Sequence, residues 1–224
     1  MHRCLYRAEC AEGVEAETFF RSLRDDSETA AEQRAVTMLG LFGCGRSLFL
    51  YYECEGDKAR PEELFPGAEQ VLLPWPGTGA PRLWAPMMDI FHYQRPVSRE
   101  HWKRIHPRAE GYGRIALLKP DQVASYVYYH YQYQEERPGD GDKYGIIGLH
   151  ENLLFFYSEA PATREPAPYK GLLNTSLRPD DWAGVMDPHF SKWEGVPEGQ
   201  EIWLRLSPIL ELRSPQSKQE ESKR

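Results

Sequence analysis

The sequence predicts an α+β protein: a tandem ferredoxin-like repeat forming a single-chain dimeric α/β barrel, that is, a pseudo-dimer. Three internal correspondences carry this expectation. The stretch Gly40-Leu-Phe-Gly43 through Tyr52 aligns with Gly145-Ile-Ile-Gly148 through Tyr157 at a constant offset of 105 residues. Each copy is two apolar, aromatic-rich runs about a polar turn, the signature of a β-hairpin. Ala16, Phe19, Phe20 and Leu23 form an i, i+3, i+4, i+7 stripe that recurs as Val123, Tyr126, Val127 and His130 at offset 107, the spacing of one buried helical face. Lastly, Ala85-Pro-Met-Met-Asp-Ile90 matches Ser207-Pro-Ile-Leu-Glu-Leu212 at offset 122.

In chain order, Leu5–Glu9 and Ile115–Leu118 read as the opening strand of each half, each followed by a helical segment. Pro120 suits a first helical position, Asp121 a first turn, and Pro138-Gly139 a stop. Tyr126–Tyr133 is rich in β-formers, but a run of about 17 residues exceeds a typical strand of about 5–6 and favours helix. The two hairpins follow. The second helix of the first half is eroded, because Arg60–Leu73 contains Pro61, Pro66 and Gly67. Its counterpart begins at Asp180-Asp-Trp182-Ala-Gly-Val-Met-Asp187, and a fourth strand closes each half. Strand, helix, strand, strand, helix, strand is the split-βαβ order of an antiparallel sheet with helices on one face. The expected organisation is therefore a half at 1–96, a packed connector at 97–112, a half at 113–213 and a disordered tail at 214–224, which has no apolar residue.

Composition narrows the function classes. Lys and Arg number 27 against 34 Asp and Glu, a net charge of −7, and no basic block stands out, so a nucleic-acid partner is not expected. The longest apolar runs fall short of the roughly 18–20 residues of a membrane helix, and the first residues lack the apolar stretch of a secretory signal. A soluble, cytoplasmic protein is expected, a monomer if the internal pseudo-dimer closes itself, otherwise a homodimer. Cys4, Cys10, Cys44 and Cys54 include no C-x-x-C pair. They read as reduced core thiols, or as parts of a zinc site drawn from distant strands; no metal and no cofactor is expected. Gly40-x-x-Gly43-x-Gly45 precedes a strand rather than a helix and is no dinucleotide fingerprint.

The halves differ along their shared stripe, where Phe19 and Leu23 of the first become Tyr126 and His130 of the second. At i, i+4 these lie on one helical face. Two polar groups on a core-facing stripe demand hydrogen bonds. They read either as satisfied, semi-buried aromatics or as a proton donor and acceptor lining a small cavity. His189 reads as the rim of the same pocket or as a surface histidine, and His92 as a second rim residue. His101 and His106 fall in the connector.

Lys119-Pro-Asp121-x4-Tyr126-x3-His130, then Tyr144-Gly-Ile-Ile, Asn152-Leu-Leu-Phe155, and Met186-Asp187-x5-Trp193 resemble, in order, motifs of the L-rhamnose mutarotase family. The resemblance spans about Arg114–Leu212 and implies a ferredoxin-like dimeric α/β barrel. It implies a cofactor-free isomerase of carbohydrate metabolism that interconverts anomers of a rhamnose-like monosaccharide. His130 falls on the family's acid/base histidine, Tyr126 and Tyr144 on its sugar-contacting tyrosines, and Trp193 on the second of its paired tryptophans. Lys192 stands where the first tryptophan belongs, and Leu39 stands where the first half would need its Tyr144. The other function class is a non-catalytic or redirected protein of the same fold, either a small-ligand binding module or a monooxygenase or haem-type member.

Overall fold

The computed structural model describes residues 1–77 and 79–214, so the expected tail at 214–224 lies outside the described residues except for Ser214. In chain order the strands are β1 (His2–Glu9), β2 (Val36–Cys44), β3 (Ser47–Cys54), β4 (Ala85–Pro86), β5 (Met88–His92), β6 (Glu110–Leu118), β7 (Ile146–His150), β8 (Leu153–Ala160), β9 (Phe190–Ser191), β10 (Leu204–Arg205) and β11 (Ser207–Arg213). The α-helices are α1 (Ala16–Ser22), α2 (Arg24–Gln33), α3 (Pro61–Leu64), α4 (Val123–Glu136) and α5 (Trp182–Met186).

The chain forms two compact units, each an antiparallel sheet with helices. The first comprises Met1–Met87, Ser98–Arg108 and the chain from Leu206 on; the second comprises Met88–Val97 and Ala109–Arg205. The sequence reading expects contiguous halves, 1–96 and 113–213. The difference lies in the fourth strand of each repeat, which is split. β4 pairs beside β1, yet β5, one residue later, is the edge strand next to β7 of the second unit's sheet. Likewise β10 pairs with β6, and β11 lies against β2. The sheet orders are β11-β2-β3-β1-β4 and β10-β6-β8-β7-β5, with β9 pairing β6 as well. Numbered within each repeat, both units show the ferredoxin-like order 4-1-3-2, and both cover the exposed edge of their second strand with one extra strand. An uncovered edge is a row of unpaired backbone groups, so this addition removes an aggregation template. The α+β class and antiparallel sheets match the sequence expectation.

In the first unit, alternation along β3 sends Leu48, Leu50, Tyr52 and Cys54 to the helix side, where they join Phe20, Ala31, Leu39 and Leu41 in one core. Phe20 meets Phe65 edge-on at 5.4 Å, and Phe65 stacks on Trp84 at 5.7 Å. The hairpin turns at Gly45, whose φ of +57° suits a two-residue turn. The stripe ends at Leu23, where α1 gives way to α2. The opposite face of β3 is buried too, and there Glu53 is fully enclosed. It receives both Nη atoms of Arg104 at 2.7 and 2.9 Å and the Tyr51 hydroxyl at 2.5 Å. Arg104 and the buried Trp102 belong to the 97–112 stretch, whose Ile105 is exposed.

In the second unit a 3-10 turn at Pro120–Gln122 leads into α4, and the run 120–136 is helical as read from its caps. Ala116, Leu118, Ile147, Leu149 and Leu154 of the sheet pack with Tyr126 and Tyr133 of α4. The pair Tyr157–Glu159, bonded at 3.0 Å and buried, repeats Tyr51–Glu53 at an offset of 106. The paired strands thus correct the sequence offset of 105 by one residue, the step that decides which face each side chain takes. Among the described residues no helix is long and apolar enough to cross a membrane.

Candidate functional site

The site lies in the second unit, on the sheet-facing side of α4. Tyr126, His130 and Tyr133 stand at i, i+4 and i+7, and all three are buried. The Tyr126 ring stacks on the His130 imidazole with centroids 3.9 Å apart. Phe91 of β5 meets His130 edge-on at 5.2 Å, and Trp182, the first residue of α5, does so at 5.0 Å. His130 is 5% exposed. Its Nδ1 lies 3.0 Å from the Tyr126 carbonyl, which can only accept, so the proton sits on Nδ1. Burial among rings brings the His130 pKa down to about 4, against the raising effect of that carbonyl bond, and nearby His189 lowers it further. The imidazole is therefore neutral at physiological pH. Burial also holds the Tyr126 phenol well above its ordinary range and pushes Tyr133 up to about 12.

His189 is 4% exposed, so it is a core residue rather than a surface histidine. Its Nε2 is 2.9 Å from the Ser125 hydroxyl, and its ring meets Tyr126 edge-on at 6.0 Å. The turn carrying it is pinned to the start of α4 by two bonds, Lys119 N–H to the His189 carbonyl at 2.8 Å and Lys119 Nζ to the Pro188 carbonyl at 2.7 Å. His92 ends β5 beside α4; its backbone N–H donates to Gln134 at 2.8 Å and its Nδ1 pairs with Asp89 at 2.9 Å.

The remaining two expected site residues flank β7 and β9. Tyr144 is buried just before β7, with the Lys143 ammonium 5.6 Å from its ring, and the core cluster around Tyr126 does not include it. Trp193 lies past β9, its backbone N–H bonded to the Glu201 carbonyl at 2.7 Å and its indole N–H buried without a partner. Among the described residues it makes no ring contact with Tyr126 or His130. The indole against His130 is Trp182 instead, because α5 starts at that residue and turns its ring onto α4. Tyr133 was legible as the next step of the α4 stripe. Trp182 was legible only as the start of a helix.

A segment from 161 to 181 without helix or strand straps the C-terminal end of α4. The Glu136 carboxylate receives Thr175 Oγ1 at 2.5 Å and the backbone N–H groups of Leu177 and Arg178 at 2.9 and 3.1 Å. Those bonds, Thr175 first, hold the Glu136 pKa down to about 2. Glu135 receives the Leu172 N–H at 2.8 Å. The strap lays the Arg178 guanidinium over the Tyr133 ring at 4.4 Å and the Trp182 ring at 5.5 Å. Arg178 Nε is buried without a hydrogen-bond partner, so ring faces rather than acceptors hold that group. No cluster of three or more His, Cys, Asp or Glu able to hold a metal occurs among the described residues.

No protein-family model matches the chain, and no curated protein matches it. Among solved structures, the "Putative monooxygenase" of Fusobacterium nucleatum subsp. nucleatum is similar at 10% identity and a TM-score of 0.45, over 95% of this chain and 94% of that one. A likeness at that level assigns neither fold nor activity to this chain.

Proposed function

We propose that the second unit is a small-ligand recognition module, a redirected member of the ferredoxin-like class whose ligand carries a flat aromatic or guanidinium-like group. The observation that supports this reading is the Tyr133–Trp182 ring pair with Arg178 laid over it. The guanidinium occupies the rings as a tethered ligand would, and a free cationic or aromatic group competes for the same faces at roughly 0.5–2 kcal/mol per contact. Neutral, enclosed His130 then serves as a wall of the site rather than as its acid. Titration of the intrinsic tryptophan fluorescence with benzamidine, indole and a panel of monosaccharides tests this. Saturable responses to benzamidine or indole that vanish in Trp182→Ala are expected; a saturable response to a sugar alone contradicts the reading.

The Tyr126–His130 stack favours a second reading, anomer exchange of a rhamnose-like sugar. In that reaction an acid protonates the ring oxygen, a base takes the anomeric proton, and the ring opens and recloses without a cofactor. His130 needs a proton to act as the acid, so sugar binding has to bring its pKa back from about 4 toward the ordinary value near 6.5. Saturation-transfer NMR between the two anomeric protons detects such exchange directly. Acceleration by the native chain that is lost in His130→Gln selects this reading over the first.

A further inference from the structure

Cys4 and Cys54 lie outside the site described above and are left unused by it. The β1–β3 register places His2 opposite Cys54 and Cys4 opposite Tyr52, so the two cysteines are diagonal neighbours on the same, helix-facing side of the sheet. Both are buried and belong to the same core cluster. Cys54 ends β3, and its Sγ also lies 3.8 Å from the Asp57 carbonyl in the bend that follows, where residues 56 to 58 are exposed. Tyr52 is held by its own bond to the Ala59 carbonyl. Cys10 and Cys44 are also free, but no such pairing joins them.

We infer that Cys4 and Cys54 form a redox-active dithiol, with Cys54 the attacking thiolate and Cys4 the resolving thiol, whose oxidant is a hydroperoxide. The electrostatics distribute the protons accordingly. The neighbouring Cys4 chiefly, with the Ala59 backbone and Lys58, holds the Cys54 thiol below its ordinary range against the opposing effect of burial. The same pairing, reinforced by burial, holds Cys4 above it. A thiolate with a proton-bearing partner beside it is the arrangement that thiol oxidation requires. In the first step the Cys54 sulfur attacks one peroxide oxygen. The O–O bond breaks, the leaving alkoxide or hydroxide takes a proton, and Cys54 becomes a sulfenic acid. In the second step the Cys4 sulfur attacks the Cys54 sulfur, the S–O bond breaks, and the sulfenic hydroxyl leaves with the Cys4 proton as water. One peroxide is reduced by two electrons and one cross-strand disulfide forms. Cys54 is fully buried, so hydrogen peroxide has to reach its sulfur through opening of the exposed bend 56–58 that follows it.

The test uses the reduced full-length chain, hydrogen peroxide as the probe, and mass spectrometry without reductant, with circular dichroism confirming that the fold persists. The expected result is a loss of two hydrogens mapping to a Cys4–Cys54 linked peptide, before any change at Cys10 or Cys44. Cys4→Ser is expected to leave a sulfenic acid on Cys54 that a 1,3-diketone traps. Iodoacetamide should modify Cys54 in Cys4→Ala, which lacks a donor, more slowly at pH 7 than in the native chain, by about tenfold if its thiol returns to the ordinary range near 8.5. Oxidation that starts at Cys10 or Cys44 overturns the assignment. So does a Cys4–Cys54 link that appears only once urea has unfolded the chain. If either Cys4 variant fails to fold, the order of peptide oxidation in the native chain still decides.

Discussion

His130 makes the second unit acid-sensitive in a way that can be worked out in advance. In the folded chain its pKa lies at about 4, chiefly because it is buried among rings, whereas an unfolded histidine titrates near 6.5. The folded value is the lower one, so between those two pH values the unfolded chain binds the extra proton. The stabilisation is complete above about pH 6.5, falls as the pH drops toward 4, and is gone below it. Each pH step of one between those two values removes about 1.4 kcal/mol, so lowering the pH from 7 to 4.5 costs about 2 kcal/mol from this residue alone. That is a substantial share of the roughly 5–15 kcal/mol that holds a typical domain folded. Urea unfolding followed by circular dichroism at both pH values, for the native chain and for His130→Gln, isolates the contribution. Carboxylates titrating over the same range are common to both proteins, so the difference between the two pH slopes belongs to His130. Identical slopes would mean that the imidazole is solvated and titrates normally, which refutes the enclosed, neutral residue described above.

Other expectations concern the surroundings. Glu53→Ala leaves Arg104 buried without its carboxylate and should destabilise the first unit by about 3–5 kcal/mol, read as a lowered urea midpoint. In Gly171→Ala the new Cβ falls 1.9 Å from the Glu135 carbonyl oxygen. The strap should then detach and its cleavage by a dilute protease accelerate, while the melting temperature barely moves. Glu136, whose folded pKa is depressed to about 2 by Thr175 and the strap's backbone N–H groups, contributes its stabilisation above the ordinary carboxylate value and loses it as the pH falls toward 2. Hydrogen exchange at Leu177 and Arg178 should therefore quicken in acid before the core amides respond.

Much of the fold was readable because it rests on repeated, strongly periodic elements. The hairpins about Gly45 and about Glu151–Asn152, the α4 stripe and the strand order within each repeat all follow from spacing. Other features have no such signature. α2 buries only Ser27 and Ala31, side chains too small to mark a helical face. The split of each fourth strand at Met87 and Leu206 is also silent, because the residues on both sides are equally suited to a sheet and only the need to cover an edge decides which sheet they join. The site was half legible. Tyr126 and His130 came from the stripe, and the structure stacks them. Tyr144 and Trp193 came from a resemblance in motif order, which carries no distance information. The ring that meets His130 comes instead from Trp182, brought onto α4 after a strap of some twenty residues. Arg178 belongs to that strap, and nothing in its local sequence pairs it with Tyr133.

The most direct test of the account is an NMR pH titration of the His130 imidazole, assigned by comparison with His130→Gln. An imidazole that stays neutral, with its proton on Nδ1, down to about pH 4 is the predicted result, and it leaves His130 as a wall of a recognition site. A midpoint near 6.5 would contradict the account, because a solvated, protonatable His130 is an acid rather than a wall.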